Sequence, residues 1–401
     1  MNRHSALLAV LAAAAFAGRA SAAESLGEAI EKSDLIIDWR MRYESVDQTG
    51  FAETADAFTS RLRAGFETAE LGKTSLLAEA VWIEDVIDDY DSTTTNGKTA
   101  FPVVPDPGFT AINRFALTNE SLEGTTLTLG RQRIIHDDAR FVGNVGWRQN
   151  EQTYDGLRAQ IGAGAFAVDL SYVTEVNRIF GPDSAVGEWE GDVLLANVAR
   201  DFDWGKLSAF GYLLELDNAA ALSSKTLGIK IAGSKPLGGV TGTYAASYAR
   251  QTHAGDNPAD YEERYYLLEG GIKLSKVAVA LGRELLGGDG TEAFSTPLAT
   301  LHAFQGWADK FLATPAAGLE DTYVKVSYAL GAKGPFENLA ALGFFHEFDS
   351  DAGSATYGEE LDLSLVAQIA RMTFTLKYSS YSADAWLTDT DKLWLSMDYA
   401  F

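Results

Sequence analysis

The chain ends on an alternating stretch, Leu393-Trp394-Leu395-Ser396-Met397-Asp398-Tyr399-Ala400-Phe401. Every second side chain in it is large and apolar, and this period of two is typical of a β-strand with one apolar face. The apolar face is long enough to cross a membrane as one strand of a barrel, and it finishes on an aromatic side chain. The pattern predicts a membrane strand that closes a barrel.

Alternating segments of the same kind recur through the whole chain, joined by connections that are alternately short and long. The long connections then all fall on one side, as in a barrel whose chain starts in the periplasm, and a β-sandwich has no reason to keep this parity. We therefore predict an all-β fold, a transmembrane antiparallel up-and-down β-barrel of about 18 strands, with a short helix before it. The predicted strands are 35–46, 58–67, 75–84, 113–119, 125–133, 154–161, 166–175, 192–200, 206–216, 226–232, 240–250, 264–274, 277–285, 322–330, 338–348, 360–370, 373–381 and 393–401.

The first residues predict export from the cell interior. Asn2-Arg3-His4 is a short basic start, residues 7–17 form an apolar run, and Ala20-Ser21-Ala22 is a small-x-small cleavage site. These features predict a signal peptide over residues 1–22, followed by one barrel domain over residues 23–401. Together with the strand pattern, they predict a location in the outer membrane of a Gram-negative cell.

Charge and composition exclude several classes of function. The full chain carries a formal charge of −24, which becomes −26 when Arg3 and Arg19 leave with the predicted signal peptide. Such an acidic chain is a poor partner for nucleic acid, and the absence of cysteine excludes disulfides and thiol chemistry. No histidine pair has metal-ligand spacing, and no Ser-His-Asp set can be placed. We therefore expect no enzyme activity, no metal and no cofactor.

Charged residues concentrate on the face that is predicted to point into the barrel. Arg40 and Arg42 share the first hairpin with Arg61 and Arg63, so four guanidinium groups are expected side by side in a lumen wide enough to hold water. Three interpretations stay open: a selective anion path, a mixed-charge constriction, or salt bridges that only hold the lumen together. The predicted lumen and selectivity residues are Arg40, Arg42, Arg61, Arg63, Arg114, Arg131, Arg133, Arg140, Arg148, Arg158, Glu79, Asp137, Asp138, Asp155 and Glu269.

Two long segments are candidates for narrowing the lumen. The segment 130–155 interleaves arginine with aspartate, either as a self-satisfied network that pins a loop or as guanidinium forks that meet a solute. The segment 286–319 is too rich in Phe and Trp for a solvated loop, so we expect it to fold into the barrel mouth, as a selectivity loop or as a cap without a ligand. The predicted constriction residues are Phe294, Thr296, His302, Trp307, Asp309 and Lys310.

Aromatic residues near the predicted strand ends indicate two girdles at the level of the lipid head groups. Such girdles imply contact with outer-membrane lipid and lipopolysaccharide. The girdle residues predicted from position alone are Trp39, Tyr43, Trp82, Tyr172, Trp204, Tyr212, Tyr266, Tyr328, Tyr378, Trp394 and Tyr399.

The same two long segments resemble a known family. Gly130-Arg131-Gln132 leads to Asp138-Ala139-Arg140-Phe141-Val142-Gly143 and Trp147-Arg148-Gln149-Asn150-Glu151. The later segment contains Phe294-Ser295-Thr296-Pro297-Leu298-Ala299-Thr300-Leu301-His302 and Gly306-Trp307-Ala308-Asp309-Lys310-Phe311-Leu312. These motifs resemble the bacterial alginate-export family of outer-membrane porins. The resemblance implies an 18-stranded barrel and passive passage of an anionic polysaccharide through an arginine-lined lumen.

The function predicted from these features is that of an outer-membrane porin for passive diffusion of hydrophilic solutes, with anionic oligosaccharides or uronates as candidates. The alternative is a non-conducting barrel, an outer-membrane enzyme or a structural or adhesion protein, whose own loops plug the lumen. Measurable conductance separates the two. The expected partners are outer-membrane lipid and lipopolysaccharide, the barrel-insertion machinery through the C-terminal strand, and a small hydrophilic or oligosaccharide solute.

Overall fold

A computed structural model describes residues 23–93 and 95–401. The predicted signal peptide, residues 1–22, lies outside the described residues. The predicted short helix is present as α1 (Leu26–Glu31), and it begins after Ser25, whose hydroxyl accepts a hydrogen bond from the backbone N–H of Glu28. Within the described part of the chain, no helix is long and apolar enough to cross a membrane.

Eighteen antiparallel strands form one closed sheet. Each strand pairs with the next one along the chain, and β1 closes the barrel by pairing with β18, where Trp39 lies opposite Tyr399. Each predicted segment overlaps one strand, so the predicted all-β barrel is confirmed. The strands are β1 (Asp34–Gln48), β2 (Ala55–Glu67), β3 (Thr74–Asp89), β4 (Phe109–Asn119), β5 (Thr125–Gln132), β6 (Thr153–Ala163), β7 (Phe166–Asn177), β8 (Glu188–Phe202), β9 (Gly205–Leu216), β10 (Ser224–Leu237), β11 (Val240–His253), β12 (Glu262–Leu274), β13 (Val277–Leu286), β14 (Leu319–Ala329), β15 (Asn338–Asp349), β16 (Thr356–Ile369), β17 (Met372–Ala383) and β18 (Thr390–Ala400).

The long connections all lie at one end of the barrel, which we call the loop rim. Each of them joins an odd-numbered strand to the next even-numbered one, and they are residues 90–108, 133–152, 178–187 and 287–318. The opposite end, the turn rim, carries short turns such as 164–165, 203–204, 238–239 and 275–276. The predicted placement of the long connections on one rim is therefore confirmed.

Alternation along the strands sorts apolar side chains to the outside. In β1, Trp39 faces outward whereas its neighbours Arg40, Arg42 and Glu44 are buried inside the barrel. The outward residues form an exposed apolar band, which is typical of a wall in contact with lipid. The fold is therefore a transmembrane barrel. The band includes Leu35, Trp82, Ile112, Leu129, Leu157, Leu194, Leu227, Ile229, Leu268, Leu281, Val326, Leu363 and Leu395.

The largest apolar core lies inside the barrel, in the half next to the loop rim. Inward side chains of the wall pack there against two loops that fold into the lumen, which we call the first loop (133–152) and the second loop (287–318). The prediction that the segment 286–319 folds into the barrel mouth is thus confirmed. The core includes Val173, Leu195, Phe210, Tyr265, Phe348 and Tyr381 from the wall, with Ile134, Val142, Phe294, Leu298 and Phe311 from the loops.

The girdle prediction was wrong for two aromatic residues. Trp39, Trp82, Tyr172 and Trp204 are exposed on the outer wall as predicted, but Tyr212 and Trp394 are buried, with 5% and 0% of their surface exposed. Both occupy inward positions of their strands, so nearness to a strand end alone does not make an aromatic residue part of a girdle.

Candidate functional site

The first hairpin builds a cationic wall on the inside of the barrel. Arg40 lies directly opposite Arg61, and Arg63 lies opposite Asp38. Arg40, Arg42, Arg61 and Arg63 are all buried, which confirms that the four arginines lie side by side. Two carboxylates offset their charge, because Arg40 forms an ion pair with Asp398 and Arg61 one with Asp38.

The cationic wall holds the first loop through the loop's carbonyl groups. Arg40 Nη1 donates hydrogen bonds to the backbone oxygens of Gly146, Trp147 and Arg148 at 3.1, 3.0 and 3.2 Å. The guanidinium of Arg42 lies over the ring of Trp147, 3.9 Å from its centre. Gln149, two residues after Trp147, is also held in place, because its backbone N–H donates to Asp106 Oδ1 at 2.7 Å.

Ion pairs complete the attachment of the first loop. Arg133 Nε donates to Glu151 Oε2 at 2.6 Å, and Arg63 Nη1 lies 3.5 Å from Glu151 Oε1. Burial by itself would raise the pKa of the Glu151 carboxyl, but the charges of Arg133 and Arg63 outweigh burial and hold this pKa well below its usual range. Glu151 is therefore ionised at neutral pH and fixes the end of the loop.

The wall from β13 to β16 is acidic and holds the second loop through its N–H groups. The backbone N–H of Trp307 donates to Asp362 Oδ2 at 3.1 Å, and that of Ala308 donates to Glu360 Oε1 at 2.7 Å. Glu284 accepts hydrogen bonds from both loops, from Gln305 of the second loop and from Arg140 Nε of the first loop at 2.6 Å. These carboxylates fix the second loop across the lumen.

The two loops also contact each other, and we call Trp147, Arg148, His302 and Asp309 the clasp. The rings of Trp147 and His302 are stacked, with centroids 4.7 Å apart and planes inclined by 7°. Arg148 Nη2 lies 2.7 Å from Asp309 Oδ2, and Arg148 Nη1 lies 3.2 Å from Glu44 Oε2 of β1. Burial would lower the pKa of Arg148, but Glu44 and Asp309 raise it above its ordinary value. The clasp joins the two loops beside the wall of β1, β17 and β18, where His302 and Trp147 also contact Trp394.

His302 lies between an anion and a cation. Its Nδ1 is 2.8 Å from Asp309 Oδ1, and its Nε2 is 2.7 Å from Lys377 Nζ. Burial lowers the pKa of His302 well below its ordinary range, and the neighbouring Lys377 adds to this effect. The neutral ring therefore donates from Nδ1 to Asp309 and accepts at Nε2 from Lys377.

Lys377 is a residue of this site that sequence reasoning missed. Its Nζ lies 3.7 Å from the ring centre of Trp307 and 4.0 Å from that of Trp147, so the ammonium is surrounded by aromatic faces. The signal in the sequence was a single lysine at an inward position of β17, between Thr375 and Ser379.

Most of the other predicted lumen residues also have a partner inside the barrel. Each takes part in a charge pair or hydrogen bond between strands, or between a strand and the first loop. This favours a mixed-charge lumen over a purely cationic one. The pairs are Arg114–Glu79, Arg158–Asp169, Asp137–Lys206, Asp138–Lys230 and Glu269–Tyr323.

Arg131 and Asp155 are corrections to the predicted lumen set. They pair with each other at 2.7 Å, but their chain neighbours Gln132 and Tyr154 are the ones buried inside the barrel. Since successive residues of a strand point to opposite faces, Arg131 and Asp155 lie on the outer face near the loop rim, together with Glu175. Arg131 lies two residues after Leu129, and Asp155 two residues before Leu157, so a period of two already places them on the apolar outer face.

The predicted constriction residues all belong to the second loop inside the barrel. Phe294 and Trp307 are buried, and Thr296 accepts a hydrogen bond from Arg140 at 3.0 Å. Burial, with a contribution from nearby Lys392, lowers the pKa of Lys310 to about 8. In residues 23–93 and 95–401, no group of His, Asp and Glu is arranged to hold a metal ion.

The structure is similar to solved outer-membrane barrels. OpdO from Pseudomonas aeruginosa matches with a TM-score of 0.72 and 13% identity, covering 94% of this chain and 98% of that chain. The outer membrane protein OpdK from the same organism matches with a TM-score of 0.70 and 13% identity, covering 92% of this chain and 98% of that chain. OccAB2 from Acinetobacter baumannii matches with a TM-score of 0.72 and 14% identity, covering 92% of this chain and 98% of that chain. At such identities the comparison shows a shared fold.

Sequence comparison gives one family. A comparison with curated proteins yields no match. The family model for alginate export matches residues 88–279, which include the first of the two motifs, whereas the second motif lies beyond the matched range. The resemblance to the alginate-export family is therefore confirmed over residues 88–279, on a barrel of the type found in bacterial outer membranes.

Proposed function

We propose that this protein is an outer-membrane channel for passive diffusion of small hydrophilic anions, with uronates and other small carboxylates as the first candidates. The observation that carries this proposal is the cationic wall, Arg40, Arg42, Arg61 and Arg63, placed directly beside two loops that narrow the lumen. A narrow passage beside fixed positive charge favours anions over cations.

Unused donors on this wall support the proposal. Among the described residues, none of the three Arg42 nitrogens donates a hydrogen bond to the protein, and Nε and Nη1 of Arg61 are also without an acceptor. Buried guanidinium donors are costly to leave without an acceptor. Because Arg42 and Arg61 are each only 1% exposed, their charge acts on a passing anion through the positive potential of the lumen and not through direct contact.

The two loops set the size of solute. They meet at the clasp and fill much of the lumen near the loop rim, which favours monomeric or short solutes over a polysaccharide. OpdK from Pseudomonas aeruginosa, a barrel of the same fold, has been solved with vanillate, a small carboxylate. An alginate chain requires the loops to leave the lumen first.

The test is single-channel recording in a planar bilayer across a salt gradient, with liposome swelling to compare glucuronate with short alginate oligomers. We expect a steady anion-selective conductance. Arg42→Gln should shift the reversal potential in the direction of lower anion selectivity. It removes a positive charge from the lumen, and the side chain that carries this charge donates no hydrogen bond to either loop. Arg131→Gln on the outer face is the matched control.

Two outcomes would overturn the proposal in different ways. Cation selectivity in the unmodified protein would mean that the lumen carboxylates determine selectivity. A complete lack of conductance would favour the alternative, a plugged barrel with a structural, adhesive or enzymatic role. Swelling with alginate oligomers but not with glucuronate would restore the polysaccharide as the solute.

The proposal also covers export of the protein and insertion of the barrel into the membrane. We propose that residues 1–22 are removed on export, which N-terminal sequencing of the outer-membrane protein would check. We also propose that the insertion machinery binds the last strand, because β18 has an apolar outer face and is followed by Phe401, which is exposed. Removal of Phe401 should lower the amount of inserted barrel. Lipopolysaccharide is the proposed lipid partner on the loop-rim side.

A further inference from the structure

The outer wall carries a groove over strands β6 to β10. Five outward residues lie opposite one another on successive strands and form one row: Ala159, Leu170, Ala196, Gly211 and Leu227. Three of the five are alanine or glycine, so the outer surface of the wall is recessed along this row. The resulting depression has a volume of about 430 Å³.

The groove has a higher edge on the side of the loop rim. The next row toward that rim consists of Leu157, Tyr172, Leu194, Leu213 and Lys225, which are again opposite one another on successive strands. Four of these side chains are large and apolar or aromatic, and the fifth is the only charged side chain that lines the groove. The groove is thus an apolar slot with an ammonium group at one end.

Lys225 has no ion-pair partner among the described residues. It lies opposite Leu213 on one side and Thr252 on the other, and neither carries a charge. Asp192 and Glu215 lie one row further toward the loop rim, opposite each other, and Asp192 already accepts a hydrogen bond from Tyr172. A lysine at the edge of a lipid-facing wall keeps its ammonium at the head-group level, where lipid phosphates lie.

We propose that this groove binds one acyl chain of a phosphorylated glycolipid of the outer leaflet, lipopolysaccharide, with a lipid phosphate on Lys225. The volume and the apolar lining suit a hydrocarbon chain, and the position of Lys225 near the loop rim places the head group in the outer leaflet. Asp192 and Glu215 present oxygens to the divalent cations that link the phosphates of such lipids. The proposal rests on the proposed lipopolysaccharide partner and gives it a binding site, but it does not depend on the proposed transport function, because the groove lies outside the lumen.

The test is native mass spectrometry of the purified, detergent-solubilised barrel with three added lipids: bisphosphorylated lipid A, dephosphorylated lipid A and phosphatidylglycerol. Gly211→Leu fills the groove, since a Cβ there already meets Leu227 Cδ2 at 3.0 Å. Gly343→Leu is the matched control, because Gly343 lies opposite outward-facing Leu363 on the far wall, and its Cβ would meet Leu363 Cδ2 at 3.3 Å. Lys225→Gln tests the phosphate contact, with Arg283→Gln on the outer face as its control.

We expect the unmodified barrel to retain one bisphosphorylated lipid A molecule. Gly211→Leu should weaken retention by about tenfold, and Lys225→Gln by about fivefold with loss of the preference for the phosphorylated form. Heat-modifiable migration in gels would verify that each variant is folded. Equal loss in Gly211→Leu and Gly343→Leu, or equal retention of phosphatidylglycerol and lipid A, would overturn the proposal.

Discussion

The two loops inside the barrel are attached by opposite charges. The first loop offers backbone carbonyls to Arg40 of the cationic wall, whereas the second loop offers backbone N–H groups to Asp362 and Glu360 of the acidic wall. An irregular segment inside a barrel must satisfy its own polar backbone groups, and here charged wall residues do so. The difference teaches that a charge facing the lumen can serve loop attachment as well as solute selection.

This comparison separates the lumen arginines into two kinds. Arg40 and Arg140 are bound to loop atoms or wall carboxylates and act mainly as anchors. Arg42 lies in the same wall but donates no hydrogen bond: it contacts Trp147 through the ring face and lies 3.8 Å from Asp106 Oδ2, a long ion pair. Variants of the two kinds should therefore change different properties of the protein.

The largest expected effect comes from removing the second loop. Replacing residues 291–316 by a short Gly-Ser linker should raise single-channel conductance by at least about threefold, because it removes the segment that crosses the lumen. Conductance in a planar bilayer measures this directly. Replacement of the loop 178–187, also at the loop rim, by the same linker is the control. If the two deletions change conductance alike, the second loop is not the constriction.

Arg40→Met should cause the next largest effect, on stability. It frees three carbonyls of the first loop and leaves Asp398 without its cation, which we expect to cost about 3 kcal/mol, at the low end for a broken buried pair because Asp398 keeps 24% of its side-chain surface exposed. Arg42→Met is the matched variant and should cost less, because the Arg42–Asp106 ion pair is long at 3.8 Å and Asp106 keeps its contacts with Arg148 and Gln149. Denaturant-induced unfolding followed by tryptophan fluorescence gives both values.

Proteolysis of the same two variants adds a local measurement. We expect new cleavage within residues 133–152 in Arg40→Met and none in Arg42→Met. Equal destabilisation of the two variants, with no difference in cleavage, would contradict the division into anchors and free donors.

The clasp between the loops predicts a pH dependence. His302 is neutral in the folded protein because its pKa is lowered, so the unfolded state binds a proton more readily, and the stabilisation is complete above the ordinary pKa of 6.5 and lost as pH falls below it. Protonation in the folded protein would place a second positive charge against Lys377 and near Arg148, and this repulsion adds to burial in keeping His302 neutral. We therefore expect the clasp to contribute less to stability as pH falls below the ordinary pKa of 6.5.

The free energy of unfolding, measured between pH 7.5 and pH 5, checks this expectation. It should fall on acidification in the unmodified protein, because the unfolded state takes up the proton. His302→Gln keeps one donor for Asp309 and one acceptor for Lys377 without a titrating ring, so its free energy of unfolding should change less over the same range. An identical pH response in both proteins would assign the effect to other titrating groups.

The fold was largely predictable, because a period of two is visible wherever one strand face meets lipid. The count of alternating segments predicted the number of strands, and the parity of short and long connections indicated a barrel rather than a sandwich, both without any contact information. Tyr212 and Trp394 were misplaced because strand ends were judged by position and not by the face that each residue occupies. The alternation in the segment 393–401 itself puts Trp394 inside.

The site was only partly predictable, because its contacts join segments that are distant in sequence. The arginine pairs of β1 and β2 followed from hairpin geometry, and the apolar content of residues 294–312 predicted an in-folded loop. The attachment of Trp307 to Asp362, and of Arg148 to Asp309, depends on how two long loops cross a lumen, which no local pattern encodes. Lys377 gave only a single-residue signal.

Arg131 gives the smallest expected effect and the sharpest check on the faces of the barrel. Its ion pairs with Asp155 and Glu175 lie on the outer face, and all three side chains keep 26–30% of their surface exposed. Arg131→Gln should therefore change the free energy of unfolding by about 1 kcal/mol or less and leave the reversal potential unchanged. Arg42→Gln should clearly shift the reversal potential, because the charge of Arg42 lies inside the barrel. A shift of selectivity in Arg131→Gln equal to that in Arg42→Gln would place both arginines on the solute path and refute the assignment of faces in β5.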